Sequence, residues 1–471
     1  MSNASIVGYF YSVTSRTNPQ AIRFIDLFAG MGGFREGFEK AAKENNIDPI
    51  CVYTSEIKES AIKFYSDNFE KIEYEDITKK EESEIPKFDI LLAGFPCQAF
   101  SSAGKREGFL DTRGTLFFDI ERILRHHKPR GFILENVEGL VNHDKKIKDN
   151  PIGQTLEVIL KNLESIGYKV TWKVLDSSEF GLAQQRRRIF IVGTMESRIS
   201  LNNFAKTFVK LRDILETGLP LENSRTIEQL LKHYKISDLP GKSLKDKRGG
   251  LNNIHSWDIE LKGKTTKVQR ELLNELLKAR RNKKWGSIKN IAWMDGMPLT
   301  IKEIRTFFDH PKLKELLDDL VSKGYVVYEH PKDLVEVGIG PNKKFVRQEQ
   351  TNLPKGYNIV AGKLSFEISK ILDPRGVTPT LVATDLDRMM VIDRSGLRRL
   401  SIPEMLRLFG FSDSMTVDLK RNEIVDLLGN SVPVNMVEAV ADRLLKVLLN
   451  SDENKNLIDK NLNAKQEFLF N

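Results

Sequence analysis

The chain has 471 residues, 40% hydrophobic and 29% charged, which is enough apolar material for a sizeable core and for two domains. No run of about 18 apolar residues occurs, the N-terminus lacks the basic, apolar, small order of a secretory signal, and only Cys51 and Cys97 are present. These features argue against a membrane-spanning helix, a disulfide scaffold and a cysteine-rich zinc site, and they point to a reducing cytoplasm. The net charge of +8, from 73 Lys+Arg against 65 Asp+Glu, hints only weakly at a polyanionic partner.

Residues 1–20 are polar and aperiodic and form an N-terminal tail. From Ala21 short apolar runs alternate with amphipathic stretches. Residues 22–28 read as a strand, followed by a Gly-rich turn and a helix over 34–44; residues 50–56 read as a second strand with a helix over 59–69. Runs at 88–93 and 131–137 read as further strands, separated by a helical stretch at 116–126. Residues 151–166 read as a helix, and strands at 170–175 and 189–192 close the series. Strands alternating with helices of this length predict βαβ units and a largely parallel sheet.

After about Met195 the rhythm stops, and helical stretches at 267–281 and 313–323 stand among polar connectors. Apolar residues return at helical spacing over 401–411 and 432–449, and the Asn- and Lys-rich end reads as a frayed tail. Charge follows the same division. Residues 196–397 carry 36 Lys+Arg against 26 Asp+Glu, a net of +10, and the rest of the chain carries −2. Stretches 242–248 and 278–289 are the most cationic. They are consistent with a solvated helix face or with a phosphate-contacting module set into a near-neutral domain.

Four places carry chemistry. Gly30, Gly32 and Gly33 sit between the first strand and first helix, where backbone can approach a ligand at a helix N-terminus. Their spacing fits neither the dinucleotide fingerprint nor the phosphate loop. Glu56, after the second strand, is placed where an acid can bind ribose hydroxyls, and Asp76 could accept from an exocyclic amine. Cys97 follows the third strand in Gly94-Phe95-Pro96-Cys97-Gln98, a Gly/Pro turn that favours an exposed thiol, whereas Cys51 lies inside an apolar strand. Glu135 ends an otherwise apolar strand, a costly place for an unpaired carboxylate. Arg186 and Arg188 share one face of the strand that follows Gln184.

Taken in order, these segments resemble the DNA (cytosine-5)-methyltransferase family of bacterial restriction-modification type. The resemblance rests on Asp26-Leu27-Phe28-Ala29-Gly30-Met31-Gly32-Gly33-Phe34, on Gly94 to Ser101 around Pro96-Cys97-Gln98, on Asp111-Thr112-Arg113-Gly114-Thr115-Leu116, on Glu135-Asn136-Val137 and on Gln184 with Arg186 and Arg188. Two further segments are Arg399 to Phe411 and Leu428-Gly429-Asn430-Ser431-Val432-Pro433. Glu75 before Asp76 departs from the family, where Gly is usual. The resemblance covers about residues 21–195 and 398–449. It implies a Rossmann-like α/β methyltransferase domain with a mostly parallel sheet, plus a smaller mixed target-recognition domain over 196–397. The catalytic domain would be discontinuous, its parts being 21–195 and the return at 398–449, with 450–471 as a C-terminal tail.

The activity it implies is S-adenosyl-L-methionine-dependent methylation of cytosine C5 in a specific double-stranded DNA sequence. The base would be flipped out and held as a covalent adduct between Cys97 and C6. Glu135 would protonate or hydrogen-bond N3, and Arg186 and Arg188 would bind O2. The loop 101–115 would close over the flipped base. Cofactor contacts by resemblance are Phe28, Gly30, Met31, Gly33, Glu56, Ile57, Asp76, Ile77, Pro96, Leu116, Asn430 and Ser431. No metal is called for. The expected protein is a cytoplasmic monomer without membrane partners, paired with a separately acting restriction endonuclease or working as an orphan methylase. An enzyme of the same chemistry acting on tRNA is the alternative, disfavoured because a long basic insert suits duplex DNA.

Overall fold

The computed structural model describes residues 20–95, 116–145, 149–247, 249–292, 296–337, 344–360 and 366–469, with side chains to Asp452. Pro96, Cys97 and the loop 101–115 lie outside the described residues. The chain divides into two units, Met1–Val209 with Leu406–Asn471, and Lys210–Met405.

The first unit is built on six strands: β1 (Gln20–Leu27), β2 (Ile47–Ser55), β3 (Ile90–Gly94), β4 (Gly131–Val137), β5 (Lys169–Asp176) and β6 (Arg187–Thr194). Helices α1 (Gly33–Glu44), α2 (Glu59–Asn68), α3 (Leu116–His127) and α4 (Gln154–Ser165) alternate with them. The sheet order is β2-β1-β3-β4-β6-β5, with β1 to β4 parallel. Strands β3 and β4 read as continuous apolar runs because both faces of the sheet are covered. Strand β6 inserts antiparallel between β4 and β5. The link between β5 and β6 is too short for a crossover helix, so an antiparallel pairing is the available one.

One face packs Phe117, Ile120, Ile123 and Leu124 of α3 and Leu156, Ile159 and Leu163 of α4 against Leu91, Phe132 and Leu134. The other packs Phe38 and Ala41 of α1, and Val437, Val440 and Leu444 of the closing helix Val434–Leu469, against Phe24, Leu92 and Ile133. Among the described residues the stretch Arg421–Asp452 is long and apolar enough to cross a membrane, but most of it is buried in this core. A Cβ on Gly37 would lie 2.7 Å from the Val434 carbonyl oxygen, so only glycine permits this approach of α1 to the closing helix. The closing helix also runs through 450–469, which the sequence leaves as a tail. Asp452 gives a reason: its carboxylate accepts from Nη1 and Nη2 of Arg130 at 2.9 and 2.8 Å.

The second unit has a five-stranded sheet of short strands and two separate two-stranded sheets. Helices Lys267–Ala279 and Leu313–Ser322 bury Leu272, Leu276 and Leu317 around Trp257, Trp285 and Tyr325. Its limits fall at Lys210 and Met405, later than 196 and 397. Ile199 and Leu201 are buried in the first unit's core, which carries the chain past 196. At the other end Arg398, 2% exposed, bonds Asp393 and Glu404 at 2.9 and 2.7 Å and belongs to the second unit.

Candidate active site

The chemistry gathers where the parallel strands end. Just after β1, Phe28 adopts φ 56°, a left-handed conformation that costs a bulky side chain energy and that surrounding structure must hold. The Ala29 amide donates to the Ser55 carbonyl at 3.1 Å and Gly32 N–H to the Ala29 carbonyl at 2.8 Å, which close the turn. Helix α1 has no side-chain cap, so its N-terminal amides are directed at whatever the turn holds. A Cβ on Gly33 would lie 3.0 Å from Val432, which marks how closely the turn meets the C-terminal segment.

Glu56 is fixed by backbone. Its Oε2 accepts from Gly30 N–H at 2.8 Å, and its Oε1 from the amides of Ile57 and Lys58 at 2.9 Å each. Asp76 Oδ1 accepts from Thr78 N–H at 3.1 Å and from its hydroxyl at 2.8 Å, and these bonds hold its carboxyl below the ordinary value.

Glu135 is buried, and Arg188 Nε meets its Oε1 at 2.9 Å. Burial pushes its carboxyl above the ordinary value, while the positive charges of Arg188 and Arg186 pull it down. Arg186 is 1% exposed. Its Nη2 donates to the Gly429 and Ser431 carbonyls at 2.9 Å each, and its guanidinium stacks 5.1 Å over Phe409. Asn136, next to Glu135, donates to the Phe95 carbonyl at 3.2 Å and so anchors the residue that precedes Pro96.

A cavity of about 490 Å³ brings these groups together. Phe28, Gly30, Met31, Gly33, Glu56, Ile57, Asp76, Ile77, Leu116, Asn430 and Ser431 all line it, as do Glu135, Arg186 and Arg188. Cys97 and Pro96 lie outside the described residues; Gly94 and Phe95, which lead to them, line the cavity. Burial pushes the thiol of Cys51 up to about 12, which makes it a poor nucleophile.

Other lining residues carry no signal in the sequence. Lys58 and Asp426 form an ion pair on the lining, and Gly429 offers the carbonyl that Arg186 binds. These partners are hundreds of residues apart, and no local pattern marks them. Asp26 also has an unforeseen environment. It is fully buried, neither carboxyl oxygen has a hydrogen-bond partner among the described residues, and burial, aided by Glu56, Glu70 and Glu39, raises its pKa well above the ordinary value against the pull of Arg35.

Comparison with known proteins adds the family. A family model described as C-5 cytosine-specific DNA methylase matches residues 22–446. The chain is 55% identical over 430 residues to the type II methyltransferase M.NlaIV of Neisseria lactamica, covering 91% of this chain and 100% of that protein. It is 54% identical to the type II methyltransferase M.NgoBV of Neisseria gonorrhoeae with the same coverage, and 38% identical over 450 residues to M.BanI of Aneurinibacillus aneurinilyticus, covering 90% and 96%. The crystal structure of S. pombe Dnmt2 methyltransferase superposes with TM-score 0.50 at 16% identity, covering 91% of this chain and 99% of that one, a likeness of fold.

Proposed function

The chain belongs to the C-5 cytosine-specific DNA methylases, and from that premise we propose how its residues divide the work of methylating a cytosine in a specific duplex sequence. The observation that carries the reading is convergence. The strained Gly-rich turn, the backbone-fixed Glu56 and the buried pair of Glu135 and Arg188 line one cavity.

The cavity suits S-adenosyl-L-methionine. Glu56 is a carboxylate held by three amides with capacity left for hydroxyls, Ile57, Ile77 and Leu116 supply apolar walls, and α1 presents uncapped amides. Phe28, Gly30, Met31, Gly33, Asp76, Asn430, Ser431 and Pro96 complete the set that would hold it. When bound, this cofactor supplies an electrophilic methyl group.

Cytosine C5 is a weak nucleophile, so the chain must activate the ring. The Cys97 thiolate adds to C6 and makes C5 enamine-like. Glu135 delivers or shares a proton at N3 as that charge develops, a role favoured by burial that holds its proton to higher pH. Arg188, bonded to Glu135, orients the acid and reaches the base oxygen. Arg186 positions the Gly429 to Ser431 segment through its two carbonyl bonds. After methyl transfer water takes the C5 proton, the electrons of that C–H bond re-form the C5–C6 double bond, and the C6–S bond breaks to restore the Cys97 thiolate. The base must first leave the duplex stack, at a cost of a few kcal/mol.

The enzyme fits the modification partner of a restriction-modification pair, working in the cytoplasm as a monomer beside an independent endonuclease. Bisulfite sequencing of host DNA after expression is the test. Cytosine methylation confined to one sequence motif is expected; unmethylated DNA from a folded, cofactor-binding protein overturns the reading. Duplexes with 5-fluorocytosine at the target should trap a covalent adduct that Cys97→Ala abolishes. An adduct that survives the substitution removes Cys97 from its role.

A further inference from the structure

Within Lys210–Met405, strand Lys332–Val337 pairs antiparallel with strand Lys344–Glu349, and among the described residues this ribbon joins no other strand. Residues directly paired across it share a face. Leu334 pairs with Arg347, and Phe345 with Glu336, on one face; Asp333 pairs with Gln348, and Val335 with Val346, on the other. Both faces are open to solvent. Phe345 is 69% and Leu334 43% exposed on the first, and Val346 is 36% exposed on the second.

A flat partner would cover one face of such a ribbon. An occupant that meets both faces at once has to be a groove. The major groove of B-DNA, about 12 Å wide, admits a two-stranded ribbon, and six residues of strand reach about 20 Å, some six base steps. Charge agrees: Lys210–Met405 carries 36 Lys+Arg against 26 Asp+Glu, a net of +10. Lys332 and Arg347 at the foot of the ribbon line a cleft of about 530 Å³ together with Lys247 and Arg280, which come from the two most cationic stretches of the chain. The floor of that cleft is firm. Arg280 Nη1 donates to Asn358 Oδ1 at 2.7 Å, and Asn358 Nδ2 donates to Glu329 Oε1 at 2.9 Å.

We propose that this ribbon enters the major groove of the target duplex and reads base edges, while Lys245, Lys283 and Lys284 in the adjoining cationic stretches hold phosphates. The proposal rests on the reading of the chain as a DNA methylase. Arg347 suits guanine O6 and N7, Gln348 adenine N6 and N7, and Asp333 the cytosine N4 amine; Phe345 and Leu334 offer apolar contact to thymine methyls. The lysines carry no sequence preference and set the salt dependence.

The full chain tests this. The motif methylated by the wild type is first read by bisulfite sequencing, and kcat/KM is then measured on that duplex and on duplexes changed at one base pair. Arg347→Ala and Gln348→Ala should each lower kcat/KM on the cognate duplex about tenfold or more and narrow its advantage over the changed duplexes. Lys283→Ala with Lys284→Ala should lower kcat/KM evenly across all duplexes and make its salt dependence shallower. Thermal melts and cofactor binding at wild-type values establish that each variant is folded. Ribbon variants that keep wild-type kcat/KM and site preference overturn the proposal, whether or not their state of association changes. So does an even loss on every duplex with a shallower salt slope, which would make the ribbon a phosphate contact. A wild type that methylates no duplex overturns the enzymatic reading and this inference together.

Discussion

The two units of the chain use their residues in different ways. In Met1–Val209 with Leu406–Asn471, chemistry-bearing side chains stand at strand ends of one sheet: Phe28 after β1, Glu56 after β2, Phe95 after β3 and Glu135 near the end of β4. The net charge of that unit is −2, and Glu56, Asp76, Glu135, Arg186 and Arg188 line one cavity. In Lys210–Met405 the strands are short, the net charge is +10, and mixed polar and apolar side chains face solvent on a ribbon. A rigid interior sheet suits a reaction whose geometry is the same at every target. An exposed, chemically mixed surface suits discrimination among targets. The comparison therefore predicts that changes in the first unit alter rate without altering site choice, and that changes on the ribbon of the second alter site choice.

The largest expected effect comes from Glu135→Gln, which should lower kcat about 10²- to 10⁴-fold on every duplex and leave the motif unchanged. The pH profile sharpens this. Because burial raises the Glu135 pKa, wild-type kcat should fall as pH rises through that raised value, and Arg188→Gln, which removes a cation that holds it down, should move the fall to higher pH. A wild-type profile with no fall anywhere above the ordinary carboxylate range would remove Glu135 as the acid.

Next is Arg398→Ala in the second unit. It removes the cation that Asp393 and Glu404 share and leaves them, among the described residues, only the backbone amides of Gly218, Leu219, Glu216 and Ser401, which should destabilise the second unit. Loss of the second unit's unfolding transition in calorimetry, with cofactor binding retained, is the expected signature. An unchanged melt would show the cluster to be dispensable.

A smaller effect is expected from Glu56→Ala, which should weaken cofactor binding about 10- to 100-fold by titration calorimetry, the worth of hydrogen bonds to a charged group. Equal affinity in the variant would take Glu56 out of the site. The smallest belongs to Asp26→Asn. The folded-state pKa of Asp26 lies above its unfolded value, so its stabilising contribution is present at low pH and is lost as pH rises through the folded value. The variant should melt above the wild type at alkaline pH, and the gap should close as pH falls toward the ordinary carboxylate range. A gap that widens on acidification would contradict this.

Much of the first unit was legible because local physics and tertiary structure agree there. Apolar runs such as 131–137 became the strand Gly131–Val137, and the Gly-rich turn sits where a βα junction requires it. Element ends moved by a few residues, as with β2 beginning at Ile47, because pairing with β1 extends the strand past its apolar run. The hairpin of β5 and β6 shows the limit of the alternation rule, since only the shortness of the link decides antiparallel pairing. The second unit was legible chiefly as charge. Its small core gathers residues as distant along the chain as Trp257, Leu272, Leu317 and Tyr325, a grouping that no periodicity announces.

By itself the sequence determined the family, the order of strands and helices in the first unit, and the residue types able to activate a cytosine, because those follow from short-range patterns and from ordered motifs. The tertiary structure decided what stands together. Lys58 meets Asp426 and Arg186 meets Gly429 and Ser431 only because the closing segment packs back beside α1, where Gly33 and Gly37 leave room for it. It decided as well that Asp26 and Glu135 are cut off from water, and so hold their protons to higher pH than the same residue types in solution.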